Sequence, residues 1–175
     1  TVFPEIHLRD CREYGSANNM KFSIILFGKG GLGVHTLGRV IRTAIMKENL
    51  SSYCVAIAFD YDTVVKGGIS NCHLIVSGEP CNPVVEGKPD IGINICASWA
   101  VLRTCDGTFY LSIPSEANRH ISENVRGYVL LGMFVARKYM LWLSKEAINT
   151  AIKSECRVPR IQSLNQVAFE KGLEM

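Results

Sequence analysis

"KFSIILFGKGGLGVHTLGRVI", Lys21 to Ile41, decides the fold. Lys21 to Phe27 is a nearly unbroken apolar run, the pattern of a central strand covered on both faces. Gly28, Gly30, Gly31 and Gly33 follow in a tight loop that satisfies G-x-G-x-x-G. From Val34 to about Glu48 the period changes. Val34, Leu37, Val40, Ile41, Ala44 and Ile45 fall on one helical face, and His35, Arg39, Arg42 and Lys47 on the other. Strand, glycine turn and helix form a Rossmann-like opening unit.

Outward from this unit, Tyr53 to Phe59 reads as a second strand and "DYDTVVKGG" as a loop. Ile69 to Val76 reads as a third strand, and Pro80 and Pro83 turn the chain away after it. Ile91 to Ile95 is a fourth strand, Trp99 to Thr104 a short helix, and Thr108 to Ile113 a fifth strand stopped by Pro114. Arg119 to Leu143 is a helical run interrupted by Gly127 and Gly132. A further helix starts at Ser144 and runs to about Lys153, and "SLNQVAFEKG" is a last short helix with Gly172 as its stop. Residues 1–20 are polar and aperiodic, an N-terminal extension to a single α/β domain over residues 21–175. The element order predicts a three-layer α/β/α sandwich around a mostly parallel or mixed central sheet.

With 175 residues, 47% of them hydrophobic and 20% charged, the chain is large enough for one domain with a real core. The net charge of +3 comes without a Lys/Arg run, so no nucleic-acid partner is expected. No apolar stretch is long enough for a membrane span, and the opening residues lack the basic start and apolar core of a secretory signal. Cysteines number seven, an odd count without a C-x-x-C pair. Cys54, Cys72 and Cys96 lie in apolar or alternating runs, so buried free thiols in a reducing cytoplasm are expected, and no metal site.

Four uses of the glycine loop compete. As a dinucleotide fingerprint, Gly28 permits the turn, Gly30 lets the backbone approach pyrophosphate, and Gly33 allows helix–strand packing. Asp60, at the end of the second strand, would then bind a ribose hydroxyl, although it comes later than the roughly 20 residues usual for that unit. As a nucleoside-triphosphate loop it fails, because Val34 and His35 stand where Lys and Ser/Thr are needed. It could hold another anion or a partner at a shared active site. Finally, its glycines could serve only to pack the helix on the sheet.

A second glycine pair, Gly67 and Gly68, follows Lys66 and precedes the third strand. Backbone N–H groups and a cation would meet there, and a tight turn with a surface lysine accounts for it equally. His35 and His73 read as ordinary hydrogen-bonded side chains, without an H-E-x-x-H or a carboxylate pair. There is no G-x-S-x-G elbow. These residues do not assemble into a self-sufficient acid–base machine, which directs attention to a cofactor or another subunit.

Four segments in order then resemble one family, the gamma subunits or domains of 2-oxoacid:ferredoxin oxidoreductases. The family opening G-x-G-G-Q-G-V is similar to Gly28 through Val34, and its R-G-G-x-S is similar to Lys66, Gly67, Gly68, Ile69 and Ser70. Pro89-Asp90 stands before the fourth strand, where the family carries an acidic residue. A leucine–glycine pair matches Leu131-Gly132, and the ending N-x-x-A-F-x-x-G matches Asn165, Ala168, Phe169 and Gly172. The chain departs from the pattern at Leu32, where the family has glutamine, and at Lys66, where it has arginine. Lysine keeps the cation but loses the bidentate fork. The segment after Ile113 is also shorter than usual.

The resemblance implies a component of a complex that oxidatively decarboxylates a 2-oxoacid and passes electrons to ferredoxin or a similar acceptor. Thiamine diphosphate with Mg2+ and [4Fe-4S] clusters are expected in alpha, beta and ferredoxin-like partner subunits, and coenzyme A is a possible co-substrate. This chain is expected to be inactive alone and to help enclose the active site or coenzyme channel. Gly28, Gly30, Gly31, Gly33, Lys66, Gly67 and Gly68 are the implied contacts to a coenzyme, with no catalytic residue assigned. An autonomous NAD(P)-binding oxidoreductase or nucleotide-binding module is the competing expectation.

Overall fold

The computed structural model describes residues 21–48, 53–61, 68–85, 87–96, 109–111, 113, 119–138, 140 and 143–175. The expected N-terminal extension, the short helix at Trp99 to Thr104, and Lys66 and Gly67 lie outside them. Among the described residues are β1 (Lys21–Lys29), α1 (Val34–Lys47), β2 (Cys54–Tyr61), β3 (Ile69–Ser77), β4 (Ile91–Asn94), β5 (Phe109–Leu111), α2 (Arg126–Ala136), α3 (Lys145–Glu155) and α4 (Pro159–Leu173).

The strands form one sheet of order β2-β3-β1-β4-β5. β1 pairs parallel with β4, and β4 parallel with β5, while β3 runs antiparallel to both β1 and β2. The sheet is therefore mixed, with β3 as its reversed strand. β3 also separates β2 from β1, so the opening strand–loop–helix unit does not return to the strand beside it.

β1 is apolar because it is central. Its alternation puts Phe22, Ile24 and Leu26 on one face, in register with Val76, Leu74 and Cys72 of β3. On the other side, Ile24 and Leu26 align with Ile91 and Ile93 of β4. Side chains from α1, α2, α3 and α4 join this face in one core. The described helices thus share a single layer of core with the sheet, and a helical layer over the opposite face is not seen among the described residues. That outer face carries Ser23, Ile25, His73 and Ile75. The chain after β3 touches it twice: Val85 N–H donates to His73 Nδ1 at 3.2 Å, and Asp90 bonds Ser23.

The helical half is held by specific contacts. Thr43 Oγ1 donates to Glu155 at 2.7 Å, and the Ser144 N–H donates to Glu48 at 2.6 Å, tying α3 to α1 near both its ends. The Ser144 hydroxyl caps α3 by accepting from the Ala147 N–H at 3.1 Å. α2 and α4 cross where two glycines meet. A Cβ on Gly132 would lie 2.2 Å from the Phe169 carbonyl oxygen, and one on Gly172 would lie 2.0 Å from that of Val129. Leu131-Gly132 and the Asn165–Gly172 segment, distant in sequence, are therefore two halves of one backbone-to-backbone contact.

Two helices differ from their sequence patterns. The run expected over Arg119 to Leu143 contains a 3-10 turn, Glu123–Val125, and then α2, which stops at Ala136. Lys138 follows with φ 53, a left-handed conformation that cannot extend the helix. The last helix begins at Pro159, earlier than the expected Ser163, because proline suits a first turn whose N–H has no helical partner.

Candidate functional site

β1 delivers the glycine loop to the edge of the sheet where β2 and β4 also end and β3 begins. Gly28 is still in β1, opposite Ser70. A side chain there would press on Val34 Cγ2 at 3.0 Å and on Ile95 Cβ at 3.2 Å. Gly31 and Gly33 take φ of 93 and 77, conformations that disfavour any residue with a Cβ, and no atom crowds the side-chain direction of either. Gly33 is the N-cap of α1, and its carbonyl accepts the first helical bond from the Leu37 N–H at 2.9 Å.

Gly30 does something the motif did not suggest. Its N–H donates to the Gly68 carbonyl at 2.8 Å. This bond joins the two glycine segments, but it uses the donor that a pyrophosphate would have needed. Gly28, Gly30, Gly31, Gly33 and Gly68 are thus brought to one edge of the sheet, while Lys66 and Gly67 fall outside the described residues.

Ser70 lies under the loop, buried, with its hydroxyl 3.0 Å from His35 Nε2. The His35 ring packs at 4.5 Å from that of Phe59, and the Arg39 guanidinium lies 5.7 Å from the same phenyl centroid. Burial lowers the His35 pKa below 6.5, and Arg39 lowers it further. Neutral imidazole is the form that can exchange a hydrogen bond with a serine in either direction. In the sequence Ser70 ends the Lys66–Ser70 motif and His35 is a lone histidine. Their meeting depends on β3 lying beside β1, which local periodicity does not encode.

On the other flank, the Ile95 N–H donates to the Phe27 carbonyl at 3.0 Å, and Asn94 Oδ1 accepts from the Cys96 N–H at 2.9 Å. Burial raises the Cys96 thiol, opposed by a hydrogen bond from the Lys29 backbone and by the Arg126 charge. Arg126 is 5% exposed. Its Nη1 reaches the Ile95 carbonyl at 3.5 Å and Glu123 at 3.7 Å, and its Nε is buried without a partner among the described residues. No sequence pattern marked this arginine, because its position depends on where α2 crosses the end of β4.

Asp60 does not serve the glycine loop. With β3 between them, β2 lies two strand spacings from β1, about 10 Å. The alternation that puts Phe59 on the helical face also puts Asp60 on the opposite one, in register with Asn71. Pro89-Asp90 also lies elsewhere. Asp90 Oδ2 accepts from the Ser23 N–H and hydroxyl, both at 2.7 Å, at the far end of β1 from the loop.

The described cysteines are dispersed. Cys54 is exposed, contrary to the buried thiol expected there, because it begins β2 at the edge of the sheet. Cys72 is buried against Gly38, and burial pushes its thiol up to about 12. Cys156 is buried between the Tyr128 hydroxyl and the Asn165 amide, each at 3.3 Å. Among the described residues no three His, Cys, Asp or Glu side chains converge to form a metal site.

The sequence profile of the pyruvate ferredoxin/flavodoxin oxidoreductase family matches residues 23–108, a span that contains both glycine segments. No curated protein matches the chain. Among solved structures, the keto/oxoacid ferredoxin oxidoreductase gamma subunit from Geobacter sulfurreducens PCA has 23% identity and a TM-score of 0.63, with 89% of this chain and 95% of that one covered. The 2-oxoglutarate:ferredoxin oxidoreductase from Magnetococcus marinus, solved with 2-oxoglutarate, coenzyme A and succinyl-CoA bound, has 18% identity and a TM-score of 0.64, with 88% of this chain and 30% of that one covered. Pyruvate oxidoreductase subunit PORC from Thermotoga maritima has 15% identity and a TM-score of 0.63, with 88% and 96% covered. At these identities the likeness is one of fold.

Proposed function

We propose, from the pyruvate ferredoxin/flavodoxin oxidoreductase profile that matches residues 23–108, that this chain is the gamma component of a 2-oxoacid:acceptor oxidoreductase. The complex decarboxylates a 2-oxoacid oxidatively and hands the electrons to ferredoxin or a similar acceptor. The observation that carries this reading is the family match across both glycine segments, which the Gly30–Gly68 bond ties into one feature.

In this reading thiamine diphosphate, Mg2+ and the [4Fe-4S] clusters belong to the alpha, beta and ferredoxin-like subunits. Thiamine diphosphate supplies the carbanion-stabilising chemistry when bound there. The contribution of this chain is positioning and exclusion of water at the sheet edge. Gly31 and Gly33 keep that surface free of side chains, and Gly28 lets the loop close on Ile95. A phosphate-bearing coenzyme such as coenzyme A fits against such a surface, with Lys66 and Gly67 beside Gly68 in sequence. Gly30 holds the two segments together rather than donating to the ligand.

The dinucleotide alternative needs an acid beside the loop, and β3 occupies that place. The test is purification of the native assembly and identification of its chains by mass spectrometry. Stoichiometric thiamine-binding and iron–sulfur subunits are expected. A chain that is monomeric in native lysate contradicts the proposal, as does NADH binding with hydride transfer by the isolated chain.

A further inference from the structure

The outer face of α4 is unusually apolar for a helix at a surface. Ile161, Leu164 and Val167 are 50%, 53% and 68% exposed, and Val158, just before the helix, is 52% exposed. Single exposed aliphatics need no explanation, but a row of them on one element does. The helix is fixed from behind. Asn165, Ala168, Phe169 and Gly172 are buried, and the Gly132–Gly172 contact leaves no room for rotation to hide the exposed row.

Charge gives the row a polarity. Arg160, Leu164, Val167 and Lys171 follow i, i+4, i+7, i+11 spacing, so they lie along one line of the helix, with Ile161 at its edge. Arg160 and Lys171 are both exposed and bracket the aliphatics with positive charge. The nearby Glu170 is engaged by Lys145 at 3.0 Å and Asn149 at 3.2 Å. Glu174, the other carboxylate near the line, lies beyond the last helical turn. A second copy laid antiparallel would set Arg160 against Lys171, and laid parallel would set each cation against itself.

We propose that this face docks a companion subunit that presents an apolar ridge flanked by carboxylates. Aliphatic burial supplies the affinity, and the two cations fix register and steer the encounter. The inference rests on the reading of this chain as one subunit of an oxidoreductase assembly, and it names the face and chemistry of the joint.

The test is binding of the full chain to the purified thiamine-binding subunits of its assembly, measured at low and high salt. Leu164→Ser with Val167→Ser is expected to weaken binding roughly tenfold or more. Arg160→Glu with Lys171→Glu is expected to weaken it at low salt and to flatten its salt dependence. Both double variants should melt with the wild type, since the substituted side chains are exposed. Variants that bind like the wild type overturn the docking face while leaving the subunit reading intact. A wild-type chain that binds none of these subunits overturns both. Self-association of the free chain abolished by Leu164→Ser and Val167→Ser would assign the face to a second copy. Binding to vesicles of mixed phosphatidylserine and phosphatidylcholine, lost in the same variants, would assign it to a membrane surface. Either result overturns the proposal.

Discussion

Asp90 accepts two hydrogen bonds from Ser23, and its own N–H returns one to the Ser23 carbonyl. This clamp joins the starts of β1 and β4, so the residue acts on stability at the edge opposite the glycine loop. Asp90→Ala leaves the 7%-exposed Ser23 with unpaired groups and should cost about 1–2 kcal/mol in denaturant unfolding. An unchanged midpoint would remove the clamp from the account. His35 and His73, both partly buried, make a pH statement. Burial lowers both the His35 and His73 pKa below 6.5, and Asp60 partly opposes the shift at His73. Each group therefore contributes stability that is full above its unfolded pKa near 6.5 and is lost as pH falls toward the lower folded value. Protonation of His73 Nδ1 would also break its bond from Val85. NMR titration should show both imidazoles more than half neutral at pH 6.5, and a folded-state pKa above 6.5 for either contradicts this. The glycines were legible as residues because positive φ and close approach leave a compositional mark. The partners of His35, Asp90 and Arg126 were not, because each is set by which strand lies next to which.

At the scale of elements, β1, the glycine turn and α1 were legible apart from the end of β1, which runs to Lys29 rather than Phe27, since a period change at a glycine cluster is local. α2 was overextended, because an apolar composition continues past Ala136 while the backbone turns at Lys138. Packing between elements was less legible. In the sequence Gly127 and Gly132 read as interruptions of a helix, and Gly172, the counterpart of Gly132, as a helix stop. In the fold Gly132 and Gly172 support one crossing of α2 and α4. Gly132→Ala forces a Cβ into the Phe169 carbonyl and should destabilise by about 3 kcal/mol. Gly127→Ala meets the end of the Leu37 side chain at 3.0 Å, which can move, and should cost less. Thermal unfolding of the two variants orders them. Equal melting temperatures would show that the α2–α4 backbones can separate without penalty.

The whole molecule explains why its opening motif pointed in two directions. Strand, glycine loop and helix satisfy a dinucleotide grammar, but that grammar assumes β2 beside β1. Here β3 takes the place, reverses direction, and brings Ser70 and Gly68 to the loop instead of Asp60. Strand order is a long-range property, and nothing in the spacing of residues 21–77 records it. The ordered set of short motifs pointed to the family that the profile match supports over residues 23–108. Under the proposed function assembly follows, because the described groups at the sheet edge hold and shield while the proposed reaction needs chemistry from elsewhere. The most direct measurement is thiamine-diphosphate-dependent reduction of ferredoxin or a viologen dye by a 2-oxoacid, with the companion subunits assayed with and without this chain. The account predicts no activity from the chain alone and activity from the companions that depends on its addition. Full activity without it, or 2-oxoacid turnover by the isolated chain, would contradict the account.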